Sequence, residues 1–253
     1  MSSSGARKLS TFDARQQSRR LLCGAWCALW VALVALILYP ISTNLLRACV
    51  VLCLFSLWSG ALLLFWRKRL VRYLCLAFAL IALAAFALPG HASDGATMRR
   101  AYIASLSRYE GTHYVWGGEN GNGIDCSGLV RRGLINADFR EGLATTNPKL
   151  LREAASMWWH DASAKSLLEG YGQKTREILS ASSIDELDHV KILPGDIAVT
   201  ADGLHTLAYV GDETWIEADP NPGRVIKARA RSGNSWLKVP VRIMRWQQFE
   251  GGS

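Results

Sequence analysis

Beyond residue 88 the sequence has a single cysteine, Cys126, although the chain of 253 residues contains six. That excludes an intramolecular disulfide framework for this part and leaves one thiol whose presence calls for another reason. The same part has no excess charge: residues 95–253 carry nineteen Lys/Arg against nineteen Asp/Glu. The net charge of +8 resides in residues 1–94, where ten Lys/Arg face only Asp13 and Asp94. A basic nucleic-acid-binding domain is thereby excluded, and no nucleic-acid partner is expected. A phosphate-cradling loop is missing too. Gly117-Gly118-Glu119-Asn120-Gly121-Asn122-Gly123 is glycine-rich, but no Lys-Ser or Lys-Thr follows it, so it reads as a close-packed turn. The cysteine pairs Cys23/Cys27 and Cys49/Cys53 have helical i, i+4 spacing. They lie in apolar runs and read as small packing residues, so no metal and no cofactor is expected.

Three long apolar runs dominate the first third. Leu21 to Leu38 and Ala48 to Trp66 are uncharged, and Tyr73 to Leu88 extends to residue 71 if Arg72 snorkels. Eighteen residues at about 1.5 Å each span roughly 27 Å, near the thickness of a bilayer's hydrocarbon core. Transmembrane helices are therefore expected at about 21–38, 48–66 and 71–88, after a basic tail at 1–20. Arg7, Lys8, Arg15, Arg19 and Arg20 precede the first run, and Arg67, Lys68, Arg69 and Arg72 separate the second from the third. Only Arg47 lies in the other short connection. Positive-inside logic then puts the N-terminus in the cytoplasm and everything after the third span on the opposite side. In a bacterium this is a multi-pass inner (cell) membrane protein with a periplasmic or extracellular domain. A cleavable signal in the first run is disfavoured by its length and the lack of a small-residue cleavage site. RKRLVR with Gly90-His91-Ala92 is a second, weaker processing signal.

Residues 89–97 (PGHASDGAT) are small and polar and read as a linker to a domain at 98–250. Met98 to Tyr109 has the apolar spacing of a first amphipathic helix. Val130 and Leu134 place a second helix from at or just before Ser127. Residues 137–190 read as a mostly helical insert carrying the pair Trp158-Trp159, which suits a groove lining, a membrane surface or core packing. Five short β-rich runs follow, at 197–200, 205–210, 214–218, 225–228 and 239–244, separated by Gly, Asp, Asn and Pro. Helices first and strands afterwards predict an α+β domain, a helical half packed on an antiparallel sheet.

The chemistry gathers at Cys126. A helix start lowers a thiol pKa through its partial positive charge and free N–H groups, and an N–H there is a natural oxyanion donor. A nucleophilic cysteine also needs a base, ordinarily histidine, and a third group that holds the imidazole. Of His113, His160, His189 and His205, the last opens a strand that can present it rigidly. A three-residue loop after Val210 would set His205 opposite Asp219 with Glu217 diagonal on the same face; a two-residue loop would turn both away. Spacing leaves Glu217 and Asp219 both open.

Four blocks in order, YVWGG, GIDCSGLV, LPGDIAV and HTLAYVGDETWIEA, resemble the NlpC/P60 family of papain-like cell-wall cysteine peptidases over about residues 98–246. The resemblance implies a thiol hydrolase acting on peptidoglycan stem peptides, with Cys126 as nucleophile, His205 as base and Glu217 in the third position. The family usually has histidine, asparagine or glutamine there, so Glu217 is a departure and Asp219 an alternative. Tyr114, Asp125 and Ser127 are implied to form the pocket for the free amino end of the peptide. Without a family, Tyr114 reads as core and Asp125 or Ser127 as a helix cap. An acyltransferase or lipid amidase of the related permuted group, where histidine precedes cysteine, and a non-catalytic wall-binding module are the rival readings.

Overall fold

The computed structural model describes residues 3–250. The chain forms two compact units, one made of the chain up to Tyr39 with Leu45–Ala84, the other of Pro40–Asn44 with the chain from Ala85 onward.

The first unit holds α1 (Ser3–Leu38), α2 (Asn44–Phe65) and most of α3 (Arg69–Ala87). All three are long and apolar enough to cross a membrane, over Gln16–Leu38, Asn44–Phe65 and Arg69–Ala87. Tryptophan ties them together. The Trp26 indole N–H donates to the Leu57 carbonyl at 2.9 Å and that of Trp58 to the Cys75 carbonyl at 3.1 Å. Gly60 lies against the Trp26 ring, where a Cβ would come within 2.5 Å of Cδ1. Small residues and indole donors are what apolar helices need for close association where no water competes.

The second unit stacks a helical layer on a six-stranded antiparallel sheet. Its helices are α4 (Gly95–Ser107), α5 (Cys126–Ala144), α6 (Pro148–Trp159) and α7 (Ala164–Leu168). Each begins at a residue whose side chain accepts an N–H of the first turn: Asp94, Asp125, Asn147 and Ser163. The strands are β1 (Glu119–Asn120) and β2 (Gly123–Ile124), a small hairpin, then β3 (Thr175–Ala181), β4 (Ile197–Thr200), β5 (Thr206–Gly211), β6 (Thr214–Asp219), β7 (Arg224–Arg229) and β8 (Val241–Trp246). The large sheet runs β3-β8-β4-β5-β6-β7. Met98, Tyr102, Leu129, Leu134 and Leu167 from the helices pack on Ile197, Val199, Ala208, Ile216 and Trp246 from the sheet. The opposite sheet face has its own cluster around Trp215, Leu207, Ile243 and Leu237.

The α+β architecture is the expected one, with one correction inside residues 137–190. That stretch is α-helical only to Leu168; Thr175–Ala181 is an edge strand paired with β8. Its half-exposed Ile178 and Leu179 resemble one helical stripe in sequence, and the partner that makes them a strand lies some sixty residues on. Of the tryptophan pair, Trp158 packs against the core while Trp159 is 44% exposed.

Asp138 on α5 is fully buried, with one oxygen accepting from the Gln248 amide at 2.9 Å and the other unpartnered. Burial pushes its carboxyl up to about 8, against the pull of Gln248. An unfolded aspartate ionises near pH 4, so between about pH 4 and 8 the folded state holds a proton that the unfolded state has released. This contribution to stability is complete at the acid end and lost as pH rises. Thermal unfolding of the wild type is expected to shift down from about pH 5 to 8, and Asp138→Asn to flatten that dependence. Parallel curves for the two proteins would refute it.

Candidate active site

Cys126 is the first residue of α5 and is 7% exposed. Asp125 caps the helix: Oδ1 accepts from Gly128 N–H at 2.6 Å and from the Ser127 hydroxyl at 3.1 Å. Oδ2 accepts from Gly117 N–H at 2.8 Å, and Asp125 N–H donates to the Gly118 carbonyl at 3.0 Å. One carboxylate therefore fixes both the helix start and the glycine loop, and Gly118 is required there. A Cβ on it would meet the Gly123 carbonyl at 2.6 Å, and one on Gly128 would meet the Gly118 carbonyl at 2.3 Å. Burial raises the Asp125 carboxyl's pKa, and the hydrogen bonds from Gly128, Gly117 and Ser127 act against that.

Backbone N–H groups at the site, that of Thr206 foremost, act to favour the Cys126 thiolate. Burial nevertheless pushes the thiol up to about 12, with the Asp125 charge adding to it. The helix start alone does not generate a thiolate, so the proton needs an acceptor. Thr206 begins β5, and His205 immediately precedes it, so the histidine adjoins a residue whose N–H acts on the sulfur. His205 Nε2 lies 2.6 Å from Glu217 Oε2, both side chains buried.

That contact depends on register. The β5–β6 turn has two central residues, Asp212 and Glu213, both at positive φ, the form that suits a tight hairpin. A two-residue turn would rotate the carboxylates away, but a bulge between Tyr209 and Gly211 absorbs Val210 and restores Ala208↔Ile216 pairing. Extended by three residues, this register sets His205 against Asp219 with Glu217 diagonal. Glu217 takes the imidazole. Asp219 is engaged elsewhere, accepting from Asn221 N–H at 2.9 Å and the Trp236 indole at 3.3 Å.

Two contributors carry no sequence signal. Asn234 donates to Glu217 Oε1 at 2.6 Å, satisfying its second oxygen. Trp236 stacks on the His205 ring, centroids 4.1 Å apart and planes 18° from parallel. Both lie near a 3-10 turn (Ser235–Lys238) between β7 and β8. The other histidines serve elsewhere. His189 accepts from the Trp215 indole, His160 caps α6 with its ring against the Ser156 carbonyl, and His113 forms a β-bridge with Arg224.

A cavity of about 410 Å³ opens over Cys126, lined by Tyr114, Trp116, Asp125, Ser127, Lys165 and Leu204 among others. Tyr114 faces it half-buried; burial first, then Cys126 and Asp125, push its phenol up to about 12. Below the rim, Arg131 on α5 lies 2.7 Å from both Glu119 and Asp161. It also donates to the Met157 and His160 carbonyls at 2.6 and 2.9 Å, tying α6 and the α6–α7 connection to the nucleophile helix.

A helical layer that starts one helix at a cysteine, packed on an antiparallel sheet that carries a buried histidine–glutamate contact, defines a papain-like α+β domain. Residues 111–245 match the model of the NlpC/P60 family, more than half of the chain, and the protein belongs to that family. Among solved structures it is similar to NlpC1 from Trichomonas vaginalis, at 22% identity and a TM-score of 0.40, covering 60% of this chain and 45% of that one. It is also similar to the peptidoglycan hydrolase RipB from Mycobacterium tuberculosis, at 18% identity and a TM-score of 0.38, covering 63% and 69%. An N-acetylmuramoyl-L-alanine amidase from Bacteroides uniformis matches at 12% identity and a TM-score of 0.40, covering 59% and 98%. The chain thus spans less than half the length of the Trichomonas protein. No curated protein matches.

With the thiol at about 12, its reactivity at neutral pH should depend on His205. Alkylation of Cys126 by iodoacetamide, followed by peptide mapping to separate it from the five other cysteines, is expected to slow at least about tenfold at pH 7 in His205→Ala and to recover towards pH 10 and above. Equal rates with and without the imidazole would show that another group takes the proton.

Proposed function

We propose that this chain is a membrane-anchored cysteine hydrolase that cleaves an amide bond in peptidoglycan stem peptides through Cys126, His205 and Glu217. The observation that carries this reading is the buried His205–Glu217 contact of 2.6 Å, formed by the residue next to the one whose N–H acts on the Cys126 sulfur. Family membership supports the reaction class and the wall substrate.

With a proton on Nε2 shared with Glu217, His205 has Nδ1 left to take the thiol proton. The sulfur attacks the amide carbonyl, and the oxyanion is received by the Cys126 N–H at the helix start. His205 passes its proton to the departing amine, leaving a thioester on Cys126. Water, deprotonated by the same nitrogen, then releases the acid and restores the thiol. Tyr114, Asp125 and Ser127 line the cavity where the peptide's free amino end would lie, with Asp125 supplying the opposite charge.

Positive-inside topology places the N-terminus in the cytoplasm and the domain outside, at the inner membrane of a bacterium. Residues 40–44, the connection after the first apolar helix, belong to the same compact unit as the domain. With three crossings both would lie on one side, and their sharing one unit supports that reading.

The test is the purified full-length protein in nanodiscs, incubated with defined peptidoglycan fragments, with new amines read by mass spectrometry. Cleavage that ends when Cys126 is alkylated is the expected result and names the bond. Intact wall peptides alongside turnover of a lipid amide or ester would overturn it, as would cleavage unaffected by the thiol's loss.

A further inference from the structure

The connection between the first two apolar helices does more than join them. Ile41 forms an antiparallel bridge with Gly118, flanked by Ser42 N–H to the Gly117 carbonyl at 2.8 Å and Glu119 N–H to the Pro40 carbonyl at 3.0 Å. Two such bonds around one facing pair are the repeat of an antiparallel ladder. The segment 40–42 is thus an added strand on the glycine loop, beside the β1–β2 hairpin. Side chains repeat the contact: a Cβ on Gly117 would meet Ile41 Cγ2 at 3.4 Å, and one on Gly123 would meet Pro40 Cβ at 3.0 Å. The glycine loop is held on its other side by Asp125, through the Gly117 N–H and the Gly118 carbonyl. Ser42 itself lines the cavity over Cys126.

We propose that residues Pro40–Ser42 are a positioning and specificity element of the active site: a wall of the substrate groove donated by the membrane region, fixing the glycine loop and, through it, Asp125. This rests on the hydrolase reading above for its substrate. Asp125 is bonded to a loop that two backbone hydrogen bonds from residues 40–42 hold in place, so freeing the loop should loosen the pocket's anionic side before it affects the sulfur. The expected loss therefore falls on KM. The connection between the first two apolar helices thereby becomes part of the enzyme's binding apparatus, and residues 85 onward alone have an incomplete groove.

Ser42→Pro deletes the donating N–H and places a ring carbon against the Gly117 carbonyl, whereas Ser42→Ala keeps the bond and removes only the hydroxyl. In full-length protein in nanodiscs, hydrogen exchange at residues 117–120 is expected to accelerate about tenfold in Ser42→Pro and to stay unchanged in Ser42→Ala. Peptides from β4 and β5 should keep their protection in both, which separates local release from unfolding. KM for wall peptides is expected to rise about fivefold or more in Ser42→Pro with kcat little changed. Unchanged exchange at 117–120 would show that the segment does not hold the loop; faster exchange with unchanged KM would show that holding it has no bearing on binding. If the wild type cleaves no wall peptide, the hydrolase reading fails separately. Exchange then still decides the docking, and unaltered exchange at 117–120 in Ser42→Pro would overturn it.

Discussion

Glu217→Leu is expected to lower kcat by about a hundredfold or more. The apolar side chain has a similar volume, but it removes the oxygen that the imidazole nitrogen now meets at 2.6 Å and the one that accepts from Asn234 at 2.6 Å. Nothing then holds the proton on Nε2, and the ring also populates the tautomer protonated on Nδ1, the nitrogen that should receive the thiol's. Stacking on Trp236 keeps the ring in its plane either way, so the damage is to the tautomer and to the charge opposite the imidazolium, and it should appear in kcat with KM little altered. Asp219→Asn is the contrast. Its carboxylate bonds Asn221 and Trp236, and its effect should be several-fold at most. Equal losses from the two variants would mean that Glu217 does not orient the base.

The second large effect is on stability. Arg131→Met is expected to destabilise the second unit by about 3 kcal/mol or more, because it removes the buried cation between two carboxylates and the donor to the Met157 and His160 carbonyls. For a unit of this size that corresponds to a fall in Tm of about 10 °C. Arg131→Lys keeps the charge but lacks the planar fork that reaches Glu119, Asp161, Met157 and His160 together, so it should fall in between. A Tm within about 2 °C of wild type for Arg131→Met would show that the network contributes little.

The residues at which sequence reasoning worked are those whose neighbours along the chain define them. Cys126 sits where Asp125 caps and apolar spacing begins. The five strands after Ile197 alternate and are punctuated by turn residues. The choice between Glu217 and Asp219 was not local, because it turned on whether Val210 joined the turn or a bulge. Both outcomes have the same residues between the strands, and only pairing across the hairpin separates them. The edge strand Thr175–Ala181 was hidden for the same reason, its partner being β8. Asn234, Trp236 and Pro40–Ser42 left no trace in sequence at all: an amide, an indole and a short connection become significant only through the side chain or loop they meet in three dimensions.

The order β3-β8-β4-β5-β6-β7 has a consequence for biogenesis. Strand β8, Val241–Trp246, lies between β3 and β4, so β3 has no strand to pair with until residues 241–246 have been made and, in the proposed topology, carried across the membrane, whereas β4 can already pair with β5. A translocating chain could therefore pair β4 to β7 first and gain β3 only when β8 bridges the two, which makes the early-made edge strand the last to join the sheet.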